Sequence, residues 1–173
     1  MTELRSLGAF RPADRHLRYV GATLAVVVAG VHLFHGQRGL PRLVELLATD
    51  NAALLVTDPR PLLFVLSSVA ILGGVFALSW GVPRKPVYLG GIVLMVTYIV
   101  GYFAWHMTDH GGFLPRRLPH YHGLGPVEAV VRHLELYPIA RVSKVAETLL
   151  LVLLAVLHRR EADRDPEQSV RNQ

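Results

Sequence analysis

Four long apolar stretches dominate this 173-residue chain. They cover residues 19–35, 61–80, 86–109 and 139–158, and each is close to the length of about 20 residues that a helix needs to cross a bilayer. Because a segment inside lipid must satisfy its backbone groups internally, each stretch is expected to be helical. The sequence therefore predicts an all-α integral membrane protein, built as a four-helix up-and-down bundle.

The polar parts of the chain fall outside these stretches. Residues 1–18 are interpreted as a cytoplasmic tail, residues 19–160 as the four-span transmembrane domain and residues 161–173 as a polar C-terminal tail. The connection after the third stretch carries a spacing of i, i+3, i+4 and i+7, which is typical of an amphipathic helix. It is formed by Val127, Val130, Val131 and Leu134. A shorter leucine-rich pattern precedes the second stretch, so one or two interfacial amphipathic helices are expected.

The charge and cysteine content exclude several classes of protein. The formal net charge is +5, but the arginines flank the apolar stretches instead of forming one basic helix face, which argues against a nucleic-acid partner. The chain has no cysteine, so disulfides, thiolate metal sites and cysteine nucleophiles are excluded. No serine-nucleophile motif, phosphate-binding loop or pair of carboxylates indicates a hydrolase or a kinase, and an enzymatic role is left undecided.

The distribution of basic residues predicts the orientation in the membrane. Lysine and arginine are denser in the two tails and in the short turn at Arg84 and Lys85 than in the two long connections. Since basic residues favour the cytoplasmic side, we expect a multi-pass protein of the cell membrane with both termini in the cytoplasm. The two long connections then share the outer side, where most of the nine histidines gather.

Histidines follow the first and third apolar stretches at helical spacing. His32 and His35 are three residues apart and His106 and His110 are four apart, so each pair shares a helix face. Glu147 enters the fourth stretch from the same side. Imidazoles with a carboxylate can bind Zn, Cu, Fe or Ni, which predicts a transition-metal site. Its candidate ligands are His32, His106, His110 and Glu147, with Asp109 or Tyr102 orienting the imidazole rings.

Two other chemical interpretations remain open. His32 or His35 on one helix and His106 on another are candidate axial ligands of a b-type haem held in a four-helix bundle. Histidine, tyrosine and glutamate at membrane depth are also typical of a proton relay or a polar path. Against all three stands a structural interpretation, in which the histidines are solvated at the interface and Glu147 pairs with a nearby cation or a histidine ring. His120, His122 and His133 are assigned to this solvated class.

Three short segments carry a resemblance to a group of proteins. They read VHLFHG from Val31, PVYLGG from Pro86 and WHMTDHGG from Trp105. In these strings and in its hydrophobic layout, the chain resembles small four-span membrane proteins of unassigned function from halophilic archaea. The resemblance implies a membrane bundle and no activity, cofactor or site residue.

The functional hypotheses follow from these features. The first is a membrane protein whose outer-side histidine cluster binds a metal ion or haem for redox chemistry or metal handling. The alternative is a non-catalytic accessory or scaffolding subunit, which would use its glycine-rich helix faces to pack against partner membrane subunits or against copies of itself. A small oligomeric transporter is the third. The lipid bilayer is the expected partner in each case.

Overall fold

The protein folds into six α-helices and one short 3-10 helix. The computed structural model describes the backbone of residues 12–114 and 123–171 and the side chains of residues 15–114 and 123–163, and no strand lies within those ranges. The helices are α1 (Pro12–Leu33), α2 (Leu40–Ala48), α3 (Arg60–Ser79), α4 (Arg84–Met107), α5 (Pro126–Leu136) and α6 (Pro138–Arg171), with the 3-10 helix at Ala52–Val56. The all-helical prediction is confirmed over these residues.

Three helices in the described chain are long and apolar enough to cross a membrane. They are Arg15–Leu33 of α1, Arg60–Ser79 of α3 and Arg84–Met107 of α4. Only 11% of the apolar window of α3, and the same share of α4, is buried inside the protein. An apolar surface of this extent is typical of a helix that faces lipid. The fourth predicted span lies in α6 and is not confirmed, because its first half carries Arg141, Lys144 and Glu147.

The long helices pack around a small apolar core. Helix α1 packs against α3 and α6, and α4 packs against α6. Their contact is filled by Ala25 and Val28 of α1, Met95 of α4, and Ala146 and Leu150 of α6. The C-terminal ends of α1 and α4 and the N-terminal ends of α3 and α6 therefore meet at one end of the bundle, which we call the histidine end.

Glycines shape the chain where α1 and α4 finish at the histidine end. At Gly39 a β-carbon would collide with the carbonyl oxygens of His32 and Leu33, so only glycine lets α2 start directly over the end of α1. Gly111 has a φ of +87°, and a β-carbon there would lie within 3 Å of the Trp105 ring. These two positions bring both connecting segments back onto the bundle.

Helix α6 continues beyond its predicted end at residue 158. Glu161 accepts a hydrogen bond of 2.9 Å from the Arg18 guanidinium of α1, and it lies 3.7 Å from the Arg84 guanidinium of α4. This cluster ties the polar extension of α6 to the opposite end of the bundle. These contacts stabilise the helical conformation of α6 beyond its apolar part, and α6 ends at Arg171.

Candidate metal centre

A cavity of about 890 Å³ opens at the histidine end. Its walls come from the ends of α1, α3, α4 and α6 and from α5. His32, His35, His110 and His133 all line it. The histidine-bearing ends of α1 and α4 thus lie on a common surface of the bundle.

Three histidines are close enough to share one ion. The ligand nitrogens of His106, His110 and His133 all lie within 4.8 Å of one another. The ring centroid of His106 is 5.1 Å from that of His110 and 4.2 Å from that of His133. We call these residues the His106 triad. Two of its members were predicted as metal ligands, and the third, His133, was assigned to the solvated class.

His106 is oriented by its own helix. Its Nδ1 donates a hydrogen bond of 2.8 Å to the carbonyl oxygen of Tyr102, so that in the neutral ring Nε2 carries no proton. That Nε2 atom is buried and has no hydrogen-bond partner among the described residues. Most metal-binding histidines donate one ring nitrogen to a carbonyl or carboxylate while the other holds the metal. His106 has this arrangement, with the Tyr102 backbone in the role that the sequence assigned to a side chain.

His110 reaches the triad through an unusual turn. Helix α4 ends at Met107, two residues before its predicted end, and Asp109 and His110 have φ values of 50° and 58°. Residues other than glycine rarely adopt this left-handed backbone conformation. It is found preferentially at functional sites, where the surrounding structure holds it in place. The two histidines therefore meet through this turn and not through an i, i+4 helical spacing.

His133 is presented by the inward face of α5. Ala129 and Val130 are the buried residues of this helix, whereas Val127 and Val131 of the predicted apolar stripe are exposed. The buried face is thus rotated toward Ala129, and His133 follows at helical spacing. Its ring also packs against Tyr137, with centroids 4.3 Å apart. The sequence does contain a signal for this position, because His133 lies three residues after Val130 and therefore on the same face of the helix.

The electrostatics of His133 favour the form that binds metals. Burial lowers the pKa of His133 to about 4, and the nearby charges of Arg38, His110 and His35 act in the same direction. The imidazole is therefore neutral at pH 7, as a ligand must be. Burial likewise lowers the pKa of His35 below its ordinary value of 6.5.

His32 and Glu147 form a separate pair deeper in the bundle. The His32 Nδ1 atom donates to the carbonyl oxygen of Val28 at 2.9 Å, and its Nε2 atom lies 3.4 Å from a Glu147 carboxylate oxygen. The ring also stacks on Tyr98, with centroids 4.0 Å apart. His32 thus contacts Glu147, and it is not one of the three histidines that converge in the His106 triad.

Glu147 is fully buried and well partnered. One carboxylate oxygen accepts a hydrogen bond of 2.7 Å from the Ser143 hydroxyl, and the other accepts one from the Lys144 ammonium group. These contacts satisfy a charge that would otherwise be costly inside the bundle. The network fits a structural ion pair, which the sequence left open beside the metal role.

The remaining predicted site residues lie around the triad. His35 lines the cavity, and no described residue forms a hydrogen bond with its buried Nδ1 atom. Asp109 belongs to the left-handed turn after α4. His120 and His122 lie outside the described residues. Comparison with protein-family models, curated proteins and solved structures finds no match.

Proposed function

We propose that this protein is a membrane protein that binds a divalent transition-metal ion at the His106 triad. The observation that carries the proposal is the convergence of three histidines, each with one ring nitrogen within 4.8 Å of the others. In addition, the Nε2 atom of His106 is buried and has no hydrogen-bond partner among the described residues. A buried nitrogen without a partner costs free energy unless something binds it. A metal ion at the triad removes that cost.

The spacing suits an ion such as Zn²⁺. Tetrahedral zinc with bonds of about 2.0–2.1 Å places its ligand nitrogens about 3.3 Å apart. The triad nitrogens, at no more than 4.8 Å, need only modest side-chain rotations to reach that geometry. Imidazole also suits Cu²⁺ and Ni²⁺. Three protein ligands leave a fourth position, and because His110 and His133 line the cavity, that position is accessible to a small ligand, as in zinc sites that exchange ligands.

The experiment is a metal titration of the full chain, purified in detergent with an affinity tag that contains no histidine. After chelation and dialysis against Zn²⁺, Cu²⁺ or Ni²⁺, elemental analysis is expected to find one ion per chain for at least one of the metals. X-ray absorption of the loaded protein is expected to show three imidazole nitrogens at about 2.0–2.1 Å for zinc. If the protein emerges from all three dialyses without an ion, the proposal is overturned.

The proposal includes α6 as a fourth span. Its outward positions form an apolar stripe at helical spacing, made of Val142, Val145, Leu149, Val152 and Val156, all of them exposed. The two deeper charges of its first half do not interrupt this stripe, because Glu147 is buried and Lys144 is mostly covered and paired with it, whereas the exposed Arg141 lies near the start of the helix. A helix with an apolar outside and its deeper charges turned inward is typical of a span in a bundle.

Labelling of introduced cysteines tests this topology and orientation. Because the chain has no native cysteine, the variants Gln37→Cys, Phe113→Cys and Lys85→Cys, all at exposed positions, each carry one reactive thiol. With both termini in the cytoplasm, a membrane-impermeant maleimide added to intact cells is expected to label the first two variants. Lys85→Cys should react only after the cells are opened. Labelling of Gln37→Cys and Phe113→Cys from opposite sides contradicts the four-span arrangement.

A further inference from the structure

The cavity at the histidine end has a cationic wall that the metal site does not use. The charged side chains that line it are Arg38, Arg60, Arg132 and Lys144, and in the part of the chain that the structure describes no aspartate or glutamate lines it. A concave site lined by one sign of charge concentrates ligands of the opposite sign. The wall therefore favours an anion.

Three of the four cations already have carboxylate partners. Arg60 donates to both oxygens of Asp58 and also stacks on the Trp105 ring at 3.5 Å. Lys144 is paired with Glu147, and Arg132 lies 3.4 Å from Glu135.

Arg38 differs from these three cations. Among the described residues, no carboxylate lies within ion-pair distance of it and no acceptor is hydrogen-bonded to its guanidinium group. Burial and the neighbouring charge of Arg60, opposed by Asp58, lower the pKa of Arg38 to about 10. The group is nevertheless charged at neutral pH. A guanidinium group that lines a cavity without a carboxylate partner is available to an anionic ligand.

The same cavity holds unused neutral hydrogen-bonding groups. The hydroxyl of Tyr102 and the Nδ1 atom of His35 are buried and have no hydrogen-bond partner within the described ranges, and both residues line the cavity. Phe64 and Tyr137 add aromatic walls. A volume of about 890 Å³ is within the range of small-molecule sites, which combine a few placed polar groups with apolar walls.

We propose that the cavity binds a phosphate group through the guanidinium of Arg38 and the hydroxyl of Tyr102. Phosphate offers several acceptor oxygens and a negative charge, which match the forked donors of arginine and a neighbouring hydroxyl. The group can come from a phospholipid headgroup, since the cavity lies at the end of the lipid-facing helices, or from free phosphate. This inference does not depend on the metal, because neither Arg38 nor Tyr102 is a side-chain ligand of the His106 triad.

Calorimetry on the metal-free, chelator-treated chain in detergent tests the proposal. The probes are inorganic phosphate, dihexanoyl phosphatidylglycerol and dihexanoylglycerol, which has the same acyl chains without the phosphate. At least one phosphate-bearing probe is expected to bind with one site per chain, and dihexanoylglycerol is expected to bind much more weakly. Binding of inorganic phosphate identifies a free-phosphate site, whereas binding of the phospholipid alone identifies a headgroup site.

Arg38→Gln is expected to weaken the binding of the phosphate probe by about tenfold to a hundredfold, the usual cost of losing a charge-assisted hydrogen bond. Arg42→Gln is the matched control, since Arg42 lies four residues away on α2, is paired with Glu45 and does not line the cavity. Tyr102→Phe is a second, milder variant that keeps the backbone carbonyl bonded to His106.

Thermal unfolding separates a binding defect from a folding defect. Without ligand, Arg38→Gln is expected to unfold at the same temperature as the wild type or a higher one, because it removes an unpaired charge. The phosphate probe should then raise the unfolding temperature of the wild type and not that of the variant. The proposal is overturned if no phosphate probe binds, if dihexanoylglycerol binds as well as the phospholipid, or if Arg38→Gln binds like the wild type.

Discussion

Glu147→Ala is expected to lower the free energy of unfolding by about 3–5 kcal/mol, the usual cost of removing one partner from a buried ion pair. Glu147 is fully buried and accepts hydrogen bonds from Ser143 and Lys144, and it also contacts the His32 ring. Its removal leaves the Lys144 ammonium group mostly covered and without its carboxylate. The loss should appear in reversible unfolding by SDS, followed by circular dichroism in mixed micelles.

Glu135→Ala is the matched control for this prediction. Glu135 is 59% exposed and its contact with Arg132 lies on the surface, so its loss should change stability by less than about 1 kcal/mol. The double variant Glu147→Ala/Lys144→Met is expected to recover much of the lost stability, because it removes the stranded cation as well. Equal destabilisation by Glu147→Ala and Glu135→Ala would contradict a structural role for the buried pair.

The pairing of His32 with Glu147 shows what the sequence could predict about the interior. Both residues interrupt apolar stretches, and counting helical turns from the ends of those stretches places them at a similar depth. Such counting works because the rise of an α-helix is constant. The same reasoning left the choice between a metal ligand and an ion pair open, because that choice depends on which atoms already have partners.

The His106 triad shows what the sequence could not predict. The position of His110 depends on a left-handed turn after Met107, and the i, i+4 spacing alone indicated an uninterrupted helix. The position of His133 depends on the rotation of α5 about its axis. A pattern based on large apolar residues selects Val127 and Val131 together with Val130, whereas α5 packs through Val130 and the small Ala129. Close approach of helices through small residues is a tertiary effect that periodicity does not report.

The shared location of the predicted metal ligands followed from topology alone. Once four apolar helices alternate in direction, the ends of α1 and α4 must lie at the same end of the bundle. The cavity lies at that end, and it is lined by His32 and His35 from the end of α1 and by His110 from the end of α4. Chain topology thus identified the region of the site, while local turn geometry and helix rotation decided which of its histidines converge.

His133→Ala is expected to weaken metal binding by about 100-fold or more, since even the loss of an outer hydrogen-bond partner of a ligand costs about 10- to 100-fold. His32→Ala serves as the discriminating control, because His32 belongs to the ligand set predicted from sequence but lies against Glu147, outside the His106 triad. Competition with a chelator of known affinity, on variants that remain monodisperse in detergent, measures the change. The His106 triad requires a large loss for His133→Ala and little change for His32→Ala. The reverse order would instead place the ion between His32 and Glu147, and would leave His133 as a packing residue of α5.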